Sequence, residues 1–179
     1  MGPLLANRAL FIGRFQPFHN GHLFAVKHIL EYNEEAVIVI AAAQYSYTLD
    51  NPFTAGERVE MVKLGLGEMY SKCYVIPVDN VPSNYEWPRH VLTYIPRVKS
   101  VYTNNEFVKL LFKDYGLDVK ETPVLAGVSG TSIRRAIAEG LQWRHMVPSK
   151  VAEFIELIKG DERIKAIWKT QSKTMGERY

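Results

Sequence analysis

Gly13-Arg14-Phe15-Gln16-Pro17-Phe18-His19-Asn20-Gly21-His22 is the stretch on which the fold reading turns. Residues 8–13 (RALFIG) read as a short strand, and Leu23, Val26, Ile29 and Leu30 then fall on one face at helical spacing. The stretch is therefore a strand-to-helix turn. Gly13 lets the backbone approach a ligand closely, and Gly21 leaves room beside the helix start. A helix N-terminus offers unpaired amides and a partial positive charge, which suits anions. His19 and His22 are three apart and can face one point in the first turn. Two imidazole donors there suit phosphate oxygens, and Arg14 adds a charge-assisted contact. Plainer readings exist. A histidine near a helix start often only caps it, and two at this spacing are also half of a metal site. His28, His90 and His145 show no ligand spacing and Cys73 is the only cysteine, so no metal held by protein side chains is expected.

Outward from that turn, residues 36–42 (AVIVIAA) form a continuous apolar run, as in a strand covered on both sides. Residues 73–78 (CYVIPV), 98–103 (VKSVYT) and, more weakly, 117–122 (LDVKET) read as three further strands. Between them, Thr54 and Glu57 make a capping box opening a helix with Val59, Val62, Leu66 and Met69 on one stripe. Helices follow at 85–95, weakened by Pro88, at 105–115, stopped by Gly116, and from Ser129 to just before Gly140. Two more, at 149–159 and 161–172, are separated by Gly160. The alternation predicts an α/β, Rossmann-like fold: a doubly wound parallel sheet of about five strands joined by right-handed crossovers. The ligand crevice belongs beyond the carboxyl ends of the strands, where strand order reverses. No linker marks a boundary, so residues 1–179 read as one domain, with about 145–179 a small helical C-terminal extension.

Composition narrows the partners. The 179 residues carry 22 Lys and Arg against 19 Asp and Glu, a net charge of +3. That excess suits an anionic small molecule, and no basic stripe interleaved with aromatics is present, so no nucleic-acid partner is expected. Hydrophobic residues at 47% and charged residues at 23% place the chain among globular proteins. One cysteine excludes a disulfide framework and fits a reducing cytoplasm. The longest apolar run, residues 36–43, falls short of the about 20 needed to cross a bilayer, so no membrane partner is expected. The N-terminal MGPLLANRALF has no charged segment ahead of an apolar one and is not expected to act as a signal peptide.

A second strand-to-helix junction is Val128-Ser129-Gly130-Thr131-Ser132-Ile133-Arg134. Read plainly, Ser129 caps the helix, and Arg134 and Arg135 lie on a solvated face. Read functionally, the Ser129 and Thr131 hydroxyls join the backbone amides around a phosphate, with Arg134 one turn further on. Together the two junctions can close on a triphosphate from two sides.

His19-x-Gly21-His22 after the first strand, with Ser129-x-Thr131-x-x-Arg134 at the late helix, resembles the nucleotidylyltransferase superfamily. Arg14 to His22, Asn51-Pro-Phe-Thr-Ala-Gly-Glu-Arg58 and Asn84-x-x-Trp87 narrow the resemblance to the archaeal type of nicotinamide-nucleotide (NMN) adenylyltransferase. It runs from about Leu10 to Gly140-x-x-Trp143-Arg144-x-x-Val147-Pro148. The resemblance implies adenylyl transfer from ATP to NMN, giving NAD and pyrophosphate. It implies His19, His22, Arg14 and Arg134 as catalytic groups on the phosphates. Gly13, Gly21, Ser129, Gly130 and Thr131 would bind ATP, with Asn105 a nucleotide contact. Trp87 would stack on the nicotinamide ring, with Asn84 and Val81 in the neighbouring substrate-binding segment. Magnesium, or another divalent cation, would be bound through the ATP phosphates, and the chain would be a homo-oligomer, a hexamer in the archaeal branch.

The chain also departs from the pattern. The wider motif begins Ile-Ser and carries a hydroxyl where Gly130 stands, so one phosphate contact is expected to be missing or replaced by backbone. Some relatives carry arginine where Asp50 stands. Arg58 occupies a family position that could be catalytic, but as a second-turn residue of a capped helix it reads better as half of an ion pair. Trp87, followed by proline, reads by itself equally as a core anchor. Asp79 and Asn80 could meet a ribose or simply be solvated. Two other functions stay open: adenylyl transfer to another small phosphate acceptor, such as a pantetheine or flavin precursor, and a non-catalytic nucleotide-binding regulatory module.

Overall fold

The computed structural model describes residues 6–176; residues 1–5 of the N-terminal stretch and 177–179 of the expected extension lie outside them. Five parallel strands stand in the order β3-β2-β1-β4-β5. They are β1 (Arg8–Gly13), β2 (Glu35–Ile40), β3 (Cys73–Pro77), β4 (Ser100–Tyr102) and β5 (Asp118–Lys120). β1 is central, with Leu10 opposite Val37 on one side and Val101 on the other. The chain runs outward from β1 through β2 to β3, then returns to β4. The reversal therefore falls between β1 and β4, and the expected doubly wound fold is the one observed.

Seven helices cover the sheet among the described residues: α1 (Asn20–Tyr32), α2 (Ala55–Leu66), α3 (Trp87–Tyr94), α4 (Glu106–Asp114), α5 (Gly130–Ala138), α6 (Ser149–Leu157) and α7 (Gly160–Gly176). Strand alternation divides the core. Ala9, Phe11, Ala36, Ile38 and Ile40 face a layer holding Val26 and Ile29 of α1, Met61 and Val62 of α2, Ile133 of α5 and Ile155 of α6. Leu10, Val37, Val39 and Val101 face Val91 of α3 and Phe112 of α4. The last two helices fold back onto this body, α6 against α2 and α7 against α5.

Several boundaries shift for physical reasons. β2 ends at Ile40, two residues early, because Ala42 turns into the left-handed region (φ 53°). β4 and β5 are three residues each, yet the Lys99 amide still donates to the Arg8 carbonyl and the Thr103 amide to the Lys120 carbonyl. Met69 lies in a 3-10 segment after α2, not on its stripe. Pro88 does not weaken its helix: it sits in the first turn of α3, where a missing N–H costs nothing. Gly160 is not the break between the last helices. Lys159 takes the left-handed φ (54°), and Gly160 opens α7, where an added Cβ would lie 2.6 Å from the Phe53 ring. No helix among the described residues is long and apolar enough to cross a membrane.

Candidate active site

His19 is the N-cap of α1, in extended backbone (φ −136°, ψ 172°). Its Nδ1 accepts the His22 amide at 3.3 Å, and the His22 Nδ1 accepts the His19 amide at 3.2 Å. This is a capping box built from two imidazoles, and it stacks the rings with centroids 3.5 Å apart and planes 20° apart. An added Cβ on Gly21 would lie 3.0 Å from the His19 ring, so glycine is what lets that ring fold back over the turn. Both Nδ1 atoms are acceptors, which leaves each ring proton on Nε2. Burial pushes the His19 imidazole down to about 4. Burial, and then the His19 neighbour, hold His22 well below its ordinary value. At neutral pH the pair is uncharged and offers two Nε2–H donors.

An aromatic bed supports the pair. Phe15, fully buried with φ 52°, puts its ring edge-on to His22 at 4.7 Å, and Phe18 lies 5.5 Å away. Gln16 ties this loop to the chain ahead of α2, its side chain donating to the Phe53 carbonyl (3.0 Å) and accepting the Phe53 amide (2.9 Å).

The start of α5 is held against the same loop. Ser129 caps it, accepting the Ser132 amide at 3.0 Å. Arg134 is buried, not on a solvated face. Its Nη1 donates to the Gln16 carbonyl at 3.0 Å, its Nε to the Leu49 carbonyl at 2.9 Å, and its Nη2 to Asp50 at 3.2 Å and Thr131 at 3.5 Å. Gly130 has a packing reason: a Cβ there would sit 3.0 Å from the Gln16 carbonyl oxygen and 3.2 Å from Arg134 Nη1. A side chain would hold the two helix starts apart. Arg135, by contrast, is solvated and pairs with Glu139.

Two adjoining cavities open at the reversal. One, about 240 Å³, is lined by His19, Gly21, His22, Thr103, Asn105 and the Pro123–Leu125 segment among others. The other, about 330 Å³, takes in Gly13, Arg14, Asn80, Val81, Asn84, Trp87 and Asn105. Asn105 borders both; its Oδ1 caps α4 by accepting the Phe107 and Val108 amides, which leaves Nδ2 to donate elsewhere. Trp87 serves both of its expected readings: one edge packs on Phe112 at 5.8 Å, and the residue also lines the cavity. Asn80 lines it too, its backbone bracketed by the Gln44 side chain, whereas Asp79 is exposed outside the lining.

Arg58 departs from expectation. Among the described residues it forms no ion pair; it is fully buried, and its guanidinium donates to backbone carbonyls of Arg14, Ala41, Ala42, Ala43, Tyr45 and Thr54. Thr103 and the Pro123–Leu125 segment also line the site without a signal in the sequence. Thr103 bears no motif, and only its position at the end of β4 could have marked it. Among the described residues no group of three or more His, Cys, Asp or Glu side chains is placed to hold a metal ion.

A parallel sheet with two phosphate-suited helix starts at its reversal point defines a class, and residues 10–136 match the cytidylyltransferase-like family. The chain belongs to that family and is a nucleotidyltransferase. Within the class it is similar to proteins called nicotinamide-nucleotide adenylyltransferase. One from Pyrobaculum arsenaticum is 43% identical over 88% of this chain and 92% of its own length. Another, from Methanosarcina mazei, is 45% identical over 89% and 94%. Among solved structures, a bifunctional NMN adenylyltransferase/ADP ribose pyrophosphatase from Francisella tularensis superposes with a TM-score of 0.74. At 17% identity that match speaks for the fold; it covers 98% of this chain and 57% of the other.

Proposed function

We propose that this protein transfers the adenylyl group of ATP to nicotinamide mononucleotide, releasing pyrophosphate and forming NAD. The observation that carries the proposal is the stacked, neutral His19–His22 pair at the start of α1, set beside the start of α5 through the Arg134–Gln16 contact. The relatives' shared name supplies the acceptor.

The attacking atom is a 5′-phosphate oxygen of NMN. It is anionic at neutral pH, so no general base is needed. That oxygen bonds to the α-phosphorus of ATP, and the bond from the α-phosphorus to the bridging oxygen breaks, its electrons leaving with pyrophosphate. Catalysis is then alignment and charge stabilisation. The Nε2–H groups of His19 and His22 donate to phosphate oxygens. Arg14, the amides at Gly13 and Gly21, and the Ser129–Thr131 turn receive the rest of the polyphosphate. Arg134, buried against Gln16, Leu49 and Asp50, holds the α5 start in place. Trp87 offers its ring to the nicotinamide, with Val81 and Asn84 beside it, and Asn105 reaches the nucleotide.

Arginines, neutral imidazoles and hydroxyls suit phosphate oxygens better than a cation, so a magnesium ion fits this site as part of the ATP complex. Bound there, it neutralises phosphate charge. The proposal includes a homo-oligomer, a hexamer by resemblance, working in the cytoplasm; light scattering reads the subunit count.

The test is an acceptor panel. Protein, ATP and magnesium are incubated with NMN, phosphopantetheine or flavin mononucleotide, and pyrophosphate and dinucleotide are measured. Pyrophosphate with stoichiometric NAD from NMN is the expected result. Turnover only with another acceptor, or nucleotide binding without turnover, would overturn it.

A further inference from the structure

Arg58 is a cation with no carboxylate. It is 0% exposed, and among the described residues no acidic side chain pairs with it. Six backbone carbonyls receive its N–H groups instead. Nη1 donates to Arg14 (3.1 Å) and Ala41 (2.9 Å); Nη2 donates to Ala42 (3.2 Å), Ala43 (3.3 Å) and Tyr45 (3.5 Å); Nε donates to Thr54 (3.2 Å). Five of the carbonyls belong to two separate turns, Arg14 in the one leaving β1 and Ala41, Ala42, Ala43 and Tyr45 in the one leaving β2; the sixth, Thr54, is the N-cap of α2. The second turn can aim successive carbonyls at one point because Ala42 adopts a left-handed φ of 53°. Both turns line the larger cavity, through Gly13 and Arg14 on one side and Ala41 and Ala42 on the other. A planar fork of five N–H groups is the one side chain that can span them.

We propose that Arg58 is a positioning residue for adenylyl transfer: by fixing the main chain of Arg14 and of residues 41–45, it sets where the Arg14 guanidinium and the Gly13 turn meet the substrate phosphates. This rests on the proposed function. Burial and the nearby Arg14 charge lower its pKa to about 10, so it stays protonated at neutral pH. The two arginines form a like-charge pair, which an incoming polyphosphate relieves.

Arg58→Lys keeps the charge but concentrates its donors on one nitrogen, and Arg58→Gln keeps a two-donor head without charge. Two readings are taken on wild type and each variant: kcat and KM for both substrates, and the rise in melting temperature on adding inorganic tripolyphosphate. The expected result for folded Arg58→Lys is a loss of about a hundredfold in kcat, the scale of a small misplacement at a reacting centre. The tripolyphosphate shift should shrink as well. Values of kcat and KM within about twofold of wild type in either variant would overturn the proposal. Should neither variant fold, wild-type protein decides by NMR. Slow rotation and slow exchange of the Arg58 Nη protons agree with the staple, and free rotation contradicts it. Absence of turnover in wild type would instead overturn the function, while the tripolyphosphate comparison still reads Arg58.

Discussion

The Nδ1 atoms of His19 and His22 each accept the other residue's backbone amide, at 3.3 and 3.2 Å, so one pair of rings both caps α1 and presents two Nε2–H donors. The two jobs are separable. Asparagine caps a helix well but carries no donor at the Nε2 position. His19→Asn is therefore expected to melt close to wild type while turnover falls about a hundredfold to a thousandfold, the scale of one lost oxyanion donor. His19→Ala should lose the turnover and about 1 kcal/mol of stability. Melting curves and steady-state rates on the same samples check both.

Neutral rings also fix a pH dependence. The folded pKa of His19 is about 4 against an ordinary 6.5, and His22 shifts the same way. The unfolded chain therefore takes up protons first as pH falls. The stability contribution of the His19 ring is full above about 6.5, declines as pH drops below it, and reaches its floor once His19 itself protonates near 4; His22 adds a loss of the same sign. Imidazole NMR resonances of the folded protein should show no step near 6.5 for these two residues. A midpoint there would mean the rings are charged donors.

Arg163 of α7 reaches the chain ahead of α2. It pairs with both carboxylate oxygens of Glu57 at 2.7 Å, donates to the Pro52 carbonyl at 3.1 Å, and lies 4.4 Å over the Tyr47 ring. The pair is mostly buried, at 14% and 19% side-chain exposure. Breaking it with Arg163→Met should cost on the order of 3 kcal/mol in urea unfolding. The same variant should raise protease sensitivity in the 47–53 segment.

Trp87 packs on Phe112 along one edge and borders the larger cavity. Trp87→Ala is expected to raise the KM for NMN by about tenfold, in line with one lost aromatic stack of roughly 1.5 kcal/mol, and to leave the KM for ATP near wild type. Trp87→Phe should recover most of the NMN affinity. Equal changes in both KM values would reduce Trp87 to a core anchor.

The fold was legible because its signals are local. Alternation, caps and the two strand-to-helix turns all lie within a few residues of one another, whereas the placing of β4 beside β1 has no local signal. What escaped was long-range and had no side-chain signature. Arg58 reads as an exposed helix charge because its partners are backbone carbonyls of Arg14 and residues 41–45, which any sequence would supply. Arg134 reads either as a solvated charge or as a phosphate contact, and its burial against the Gln16 and Leu49 carbonyls has no local signal. Gly130 looks like a lost hydroxyl from its motif and proves to be a close contact with the Gln16 carbonyl. The stacking of His19 on His22 is compatible with their spacing, but the tautomer it imposes needed the coordinates.

The most direct test is pyrophosphate release from ATP and NMN by wild type and by the His19→Ala, His22→Ala double variant, at saturating substrates and with melting curves in parallel. The expected result is NAD formation by wild type and a loss of at least about a hundredfold in a double variant that still folds. A folded double variant turning over at the wild-type rate would contradict the claim that these two imidazoles stabilise the transferring phosphate.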